Sequence, residues 1–177
     1  NITTQYEQSL KQIEKKELMD ILDENHKFDL PEGILDEEFQ AIWHRLEHAK
    51  KDNTLDKDDA KLSSVKLKKR YEKIASRRVK LAILMEYIAK EQKISVSENE
   101  LKEGMLNYAS QYPGQEKKIL DYFKQNATSI ESVKGAILEK KIVDFILSKT
   151  KQNIKKISLK DFNKLQEDTF NFNKDEK

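Results

Sequence analysis

Residues 71–89, YEKIASRRVKLAILMEYIA, limit the possible folds of this chain more than any other stretch. The spacing predicts one helix that changes character along its length. Its first half is amphipathic with a strongly basic face. From residue 79 to 88 it is apolar on almost every side. Such a helix must either be wrapped by other helices or offer surplus apolar surface to a partner.

The rest of the composition favours long helices. Only four Gly and two Pro occur in 177 residues, which suits helices joined by few sharp turns and argues against a β-sandwich. It also leaves no Gly-rich phosphate loop. Charged residues make up 37%, with 34 basic against 32 acidic, for a net charge of +2. That balance fits long solvated helix faces rather than the clustered excess a nucleic-acid footprint needs. There is no Cys, so disulfides and thiolate metal sites are excluded, in keeping with a reducing compartment. The longest apolar stretch, 81–89, is interrupted by Glu86 and is far shorter than the ~18–20 residues of a membrane span. The chain opens on Asn1 directly into helix-like sequence, as expected of a fragment of a longer protein.

Read in order, Thr3 or Thr4 is expected to cap a helix running to about residue 27, with Tyr6, Leu10, Ile13, Leu18, Ile21 and Leu22 along one stripe. Phe28, Asp29, Leu30 and Pro31 break it, and Pro31 suits the entry to a second helix, from about Glu32 to Lys50. That helix carries Leu35, Phe39, Ile42, Trp43 and Leu46 on one face. A polar break at 52–59 precedes a third helix over about 59–92, and 93–96 reads as an extended joint. Ser97 and Glu100 form a capping box for a helix ending at Pro113-Gly114. A short helix follows, with Ile119, Leu120, Tyr122 and Phe123. Thr128 or Ser129 then caps a helix that turns apolar on most sides between Ile137 and Leu147. Beyond Lys149 the chain is Lys- and Asn-rich, with one short helix around 158–166 and disorder expected over 171–177. This gives an all-α, elongated body at 1–150 and a polar tail at 151–177.

Three constellations bear on chemistry. His44, Glu47 and His48 match an H-x-x-E-H zinc string. On the helical wheel both His lie well away from the Phe39 stripe and face water, so no metal site is expected. Lys66, Lys69, Arg70, Lys73, Arg77 and Lys80 share one face opposite Tyr71, Ile74 and Ala75. That face could follow a phosphate backbone, although no base-reading motif accompanies it. Arg78 falls inside the apolar stripe and needs a partner there, for which Glu139 is the expected one. Trp43, Met85, Met105, Tyr108, Tyr112, Tyr122 and Phe123 supply core, or an adaptable surface for unfolded chains, with client contacts expected at all of these but Tyr122. No Cys or Ser nucleophile stands beside a His, and no spaced carboxylate cluster occurs.

Several segments, in order, resemble one family. Residues 29–39, DLPEGILDEEF, are similar to the "dlPe..ld.E" helix entry of bacterial trigger factor, and 71–89 to its "Y...AerRVklglll.eia" segment. Residues 94–101 resemble "i.vt.eel", 109–123 resemble "a.qyp..e..v..yy" through Gln111-Tyr112-Pro113, and 135–147 resemble "..vlEekvvdfll". The resemblance covers about residues 1–150. It implies the carboxy-terminal domain of that family, a helical body with two protruding arms forming an open cradle for nascent chains, without ATP or cofactor. It implies ribosome docking and peptidyl-prolyl isomerase activity only through domains this sequence lacks, and a cytoplasmic location. A further family segment that packs on this body is also lacking, which would leave an apolar patch open. Two other readings are a periplasmic chaperone of the SurA type and a nucleic-acid-binding helical scaffold using the 66–80 basic face.

Overall fold

In a computed structural model of the chain, residues 2–151, 153 and 155–170 are described. Among them every regular element is helical: α1 Ile2–Asn25, α2 Glu32–Lys51, α3 Ser64–Glu91, α4 Glu98–Ala109, α5 Glu116–Gln125, α6 Ala127–Lys149 and α7 Leu159–Phe170. One 3-10 turn stands at Asp59–Lys61. The chain is all-α, as its composition predicts. It divides into two compact units, Asn1–Leu84 and Met85–Lys177, with the border inside α3.

The first unit is built from α1, α2 and most of α3. Its buried side chains include Ile13, Leu18, Met19, Ile42, Leu46, Leu67, Ala75 and Val79. α1 is already running at Ile2, so Thr3 and Thr4 lie within its first turn rather than capping it. α2 starts at Glu32, as expected, with Pro31 as its N-cap at φ −61° and ψ 118°. The Pro31 carbonyl accepts the first helical bond, from Leu35 N at 3.1 Å. α2 ends in a 6→1 bond from Thr54 N to Ala49 O at 2.9 Å, with Asn53 in the left-handed region at φ 53°. The third helix starts later than predicted. Asp59–Lys61 forms its own turn, and Ser63 Oγ accepts from Lys66 N at 3.4 Å at the entry to α3.

The second unit is a three-helix arrangement in which α4 packs on α5 and α6, and α5 on α6. Ile142 and Val143 of α6, Ala109 of α4, Phe123 of α5 and Phe162 of α7 are buried. The expected capping box is present: Ser97 Oγ accepts from Glu100 N at 3.3 Å, and Glu100 Oε2 accepts from Ser97 N at 2.7 Å. α3 ends as α2 does, with Lys93 at φ 53° and Ile94 N bonded to Ala89 O at 2.8 Å, so the predicted extended joint begins on a left-handed residue. α4 stops at Ala109, before Pro113, and Gly114 at φ 81° turns the chain into α5. The N-cap of α6 is Asn126, two residues ahead of the expected Thr128. Gly104 marks a close approach, since a Cβ there would lie 2.6 Å from Ile137 Cδ1 and 3.2 Å from Val133 Cγ1. The short helix expected near 158–166 extends to Phe170, with Ser158 Oγ accepting from Asp161 N at 3.2 Å. The expected disorder of 171–177 lies outside the described residues.

Candidate functional site

The sequence-predicted contact residues fall into both units. Trp43 belongs to the first, and Met85, Met105, Tyr108, Tyr112 and Phe123 to the second. Trp43 is half-buried on α2, stacked on Phe39 one turn earlier with ring centres 5.7 Å apart. Its indole Nε1 donates to Glu47 Oε1 at 3.1 Å. Beside it opens a cleft of about 410 Å³ lined by Trp43, Leu46, Leu67, Ser64, Glu47, Lys50 and Lys51. The string His44, Glu47, His48 therefore spends its glutamate on the indole. The two His are exposed, with ring centres 4.5 Å apart. Among the described residues no group of three potential metal ligands forms.

The basic face of α3 is half spoken for. Arg77 is paired with Asp20 and lies 3.8 Å from Asp23, and Lys80 is 2.8 Å from Asp23. Both acids sit on α1, and the pairs climb the two helices in the same direction. Arg70 NH1 donates to Asp59 Oδ1 at 2.9 Å, and Tyr71 Oη donates to Asp59 Oδ2 at 2.5 Å. Asp59 is the one charged residue buried among those described, and sequence reading assigned it no role. Burial first, and then this bond, push the Tyr71 phenol up to about 12. Lys66, Lys69 and Lys73 remain exposed. Arg78 is not enclosed in the apolar stripe, as expected, but exposed. Its long stem lets the guanidinium leave that face and donate to Glu38 Oε1 at 3.0 Å. Glu139, its expected partner, belongs to the second unit.

In the second unit α4, the turn that follows it and α5 bring four aromatic rings together. Tyr108 and Tyr112 are one turn apart, with ring centres at 5.5 Å. Tyr108 meets Phe123 edge-on at 5.6 Å, and Tyr122 lies 6.4 Å from Phe123. Phe123 is 4% exposed, whereas Tyr108, Tyr112 and Tyr122 are 43%, 41% and 54% exposed. Phe123 is thus the floor of the group, and the three tyrosines form its open face. The hydroxyls of Tyr108 and Tyr112 are 3.5 Å apart, and that bond, followed by repulsion between the two phenolates, raises the Tyr108 pKa. Leu106 is also exposed, on nearly the opposite side of α4 from Tyr108, while Met85 and Met105 are half-buried. Tyr122 stood among the adaptable aromatic residues of the sequence but not among the expected client contacts. Its signal was its place on α5 beside Phe123, which becomes informative once the phase of α5 is known.

Lys141 of α6 donates to Glu100 Oε1 and to Ser95 O, both at 2.6 Å, tying the start of α4 to α6. The Lys141 bond first, and then the capping bonds of Ser97, hold the Glu100 carboxyl down at about 2. No helix among the described residues is long and apolar enough to cross a membrane.

Comparison with known proteins agrees with this architecture. The family model described as bacterial trigger factor protein (TF) C-terminus matches residues 1–148. The trigger factor of Rhodospirillum centenum is 37% identical over 147 residues, covering 83% of this chain and 33% of that protein. That of Granulibacter bethesdensis is 37% identical over 162 residues, covering 92% and 36%. That of Gluconobacter oxydans is 39% identical over 150 residues, covering 82% and 34%. The chain spans about a third of the length of these relatives. With the family model matched over most of its length, the chain belongs to the bacterial trigger factor C-terminal family.

Proposed function

We propose that this chain is the client-holding part of a trigger factor, an ATP-independent chaperone domain that binds nascent or unfolded polypeptide and prevents its aggregation in the bacterial cytoplasm. The observation that carries the reading is the open tyrosine face of α4, the turn after it and α5, laid over a buried Phe123. Aromatic side chains exposed on a rigid support can cover a passing apolar segment at little cost in ordering. The Trp43 cleft of the first unit offers a second such surface. Each contact contributes only about 25 cal/mol per Å² of apolar area removed from water, so holding a client requires several shallow sites at once. High charge around these patches keeps the holder itself soluble.

On this reading Trp43, Met85, Met105, Tyr108 and Tyr112 contact clients, and Phe123 supports them. Docking to a ribosome would use a part of the longer protein. The reading assigns this chain no catalytic step and no cofactor. An Arg78–Glu139 pair would be structural, additional to the Arg78–Glu38 bond.

The test is light scattering of a chemically denatured client diluted into buffer without ATP, with and without this chain. Suppression near stoichiometric amounts is expected, and so is its loss in a folded Met105→Glu, Tyr112→Glu variant. No suppression by a chain shown folded by circular dichroism would overturn the reading. Suppression unchanged in the variant would overturn the residue assignment.

A further inference from the structure

We infer that His44 and His48, on the outer face of α2, form a two-ligand site for a late first-row divalent transition ion, Cu²⁺ ahead of Ni²⁺. Their spacing along the helix puts the two side chains one above the other. Both rings are exposed, with centres 4.5 Å apart. That separation is the one a shared metal requires. An ion about 2.1 Å from one nitrogen of each ring lies about 3.2 Å from each ring centre. Centres 4.5 Å apart then set the nitrogen–metal–nitrogen angle at about 90°. A tetrahedral angle would need them about 5.2 Å apart. Right angles suit the tetragonal environments of Cu²⁺ and Ni²⁺, both of which accept imidazole, and Cu²⁺ is the tighter binder of the two.

The site differs from the enclosed zinc centre that an H-x-x-E-H string would form. Glu47, the acid of the string, accepts the Trp43 indole N–H at 3.1 Å, and no third protein ligand joins the pair among the described residues. Water would complete the coordination, so the ion exchanges readily. Glu47 still offsets one of the two nearby cations, Arg45 and Lys51. His48 stands in the last turn of α2, where the helix dipole favours positive charge. The third His, His26, is engaged elsewhere, its Nδ1 lying 2.9 Å from Leu22 O. Because the His44–His48 pairing exists only in the helix, an ion bound there stabilises the folded first unit over the unfolded chain.

Trp43 adjoins His44 and is the only tryptophan of the chain, so a paramagnetic ion at the pair should quench its emission. CuCl₂ and NiCl₂ are titrated separately into the 177-residue chain in a non-coordinating buffer at about pH 7.5. Expected is saturable quenching with one equivalent, reversed by EDTA and tighter for Cu²⁺ than for Ni²⁺. His44→Ala and His48→Ala should each weaken binding by about tenfold or more, because a lone imidazole closes no chelate. His26→Ala should leave it unchanged. Ni²⁺ should raise the thermal midpoint of the unaltered chain but not of His44→Ala. Diamagnetic Zn²⁺ gives a readout without any substitution. Of the three His ring signals in proton NMR, two should shift together and the third stay. Affinity unchanged in His44→Ala or in His48→Ala would overturn the inference. So would quenching that never saturates, or three His signals shifting alike, the mark of adventitious binding to single imidazoles.

Discussion

Removing the Asp59 carboxylate should cost the first unit more than any other single change to its surface charges. The Asp59 side chain is 8% exposed and that of its partner Arg70 17%. Asp59→Ala deletes the acceptor of two hydrogen bonds and leaves a guanidinium facing a gap. Bonds to charged groups contribute about 1.5–3 kcal/mol each, and breaking a buried pair from one side costs about 3–5 kcal/mol. Water can still reach Arg70, which places the expected loss near the lower end, at about 3 kcal/mol. For a unit of this size that corresponds to a fall in Tm of about 12–24 °C. Asp59→Asn keeps the shape and one neutral acceptor and should lose about half as much, and Tyr71→Phe about 1.5 kcal/mol. The phenol is pushed up to about 12 from 10, so its share is complete below pH 10 and disappears as pH rises through about 12. Urea unfolding at 25 °C followed by Trp43 emission reads the first unit directly. The double variant Asp59→Ala, Arg70→Ala should lose less than the sum of the two single changes, because it removes the stranded charge. Asp59→Ala within about 0.5 kcal/mol of the parent, the range of an ordinary surface change, would refute the argument.

Other perturbations separate local from tertiary effects. Glu100→Gln keeps the N3 cap of α4 but removes the charge that holds Lys141. Because the Glu100 pKa is lowered to about 2, the wild-type advantage should be complete above pH 4.5 and vanish as pH falls through 2, as read by acid-dependent melts. Gly104→Val would drive a branched side chain into Ile137 and Val133 and should cost about 1–3 kcal/mol, measured by denaturant unfolding of the second unit by far-ultraviolet circular dichroism. Gly135→Ala, on an exposed part of α6 with nothing within 4 Å, should instead raise stability in the same assay by up to about 1 kcal/mol. Lys93→Gly relieves a left-handed residue at the end of α3 and should also stabilise, by about 0.5–1 kcal/mol in thermal melts.

What could be read from the sequence was local. The Ser97–Glu100 box was legible because both halves lie within one turn, and the α2 stripe because its helical spacing, from Leu35 to Leu46, repeats over about three turns. The start of α3 was not. Asp59, Ala60 and Lys61 are ordinary helix formers, and what holds them in a separate turn is a bond to side chains 11 and 12 residues away. The ends of α2 and α3 were legible to within a residue, at about 50 and 92, but not the left-handed Asn53 and Lys93 just beyond them, which accompany the 6→1 bonds of Thr54 N and Ile94 N. The Tyr108–Tyr112 pair could be read from its spacing. That Phe123 would lie beneath it, and that Gly104 would face Ile137, depend on how α4, α5 and α6 approach one another. The basic face of α3 was visible in outline, but not the acids of α1 that occupy its later half.

That ladder between α1 and α3 has a consequence for how the first unit finds its structure. Asp20 and Asp23 meet Arg77 and Lys80. One helical turn earlier on α3 stand Lys73 and Arg77, the same charges at nearly the same spacing. Slipping α1 by one turn, about 5.4 Å, would therefore exchange each rung for an equivalent one. The ladder draws the two helices together from a distance but is degenerate in where it stops them. The choice of register falls to groups that do not repeat, the buried Ile13, Leu18 and Met19 of α1 and Ala75 and Val79 of α3. Charge brings the partners together, and shape alone tells the native alignment from its neighbour.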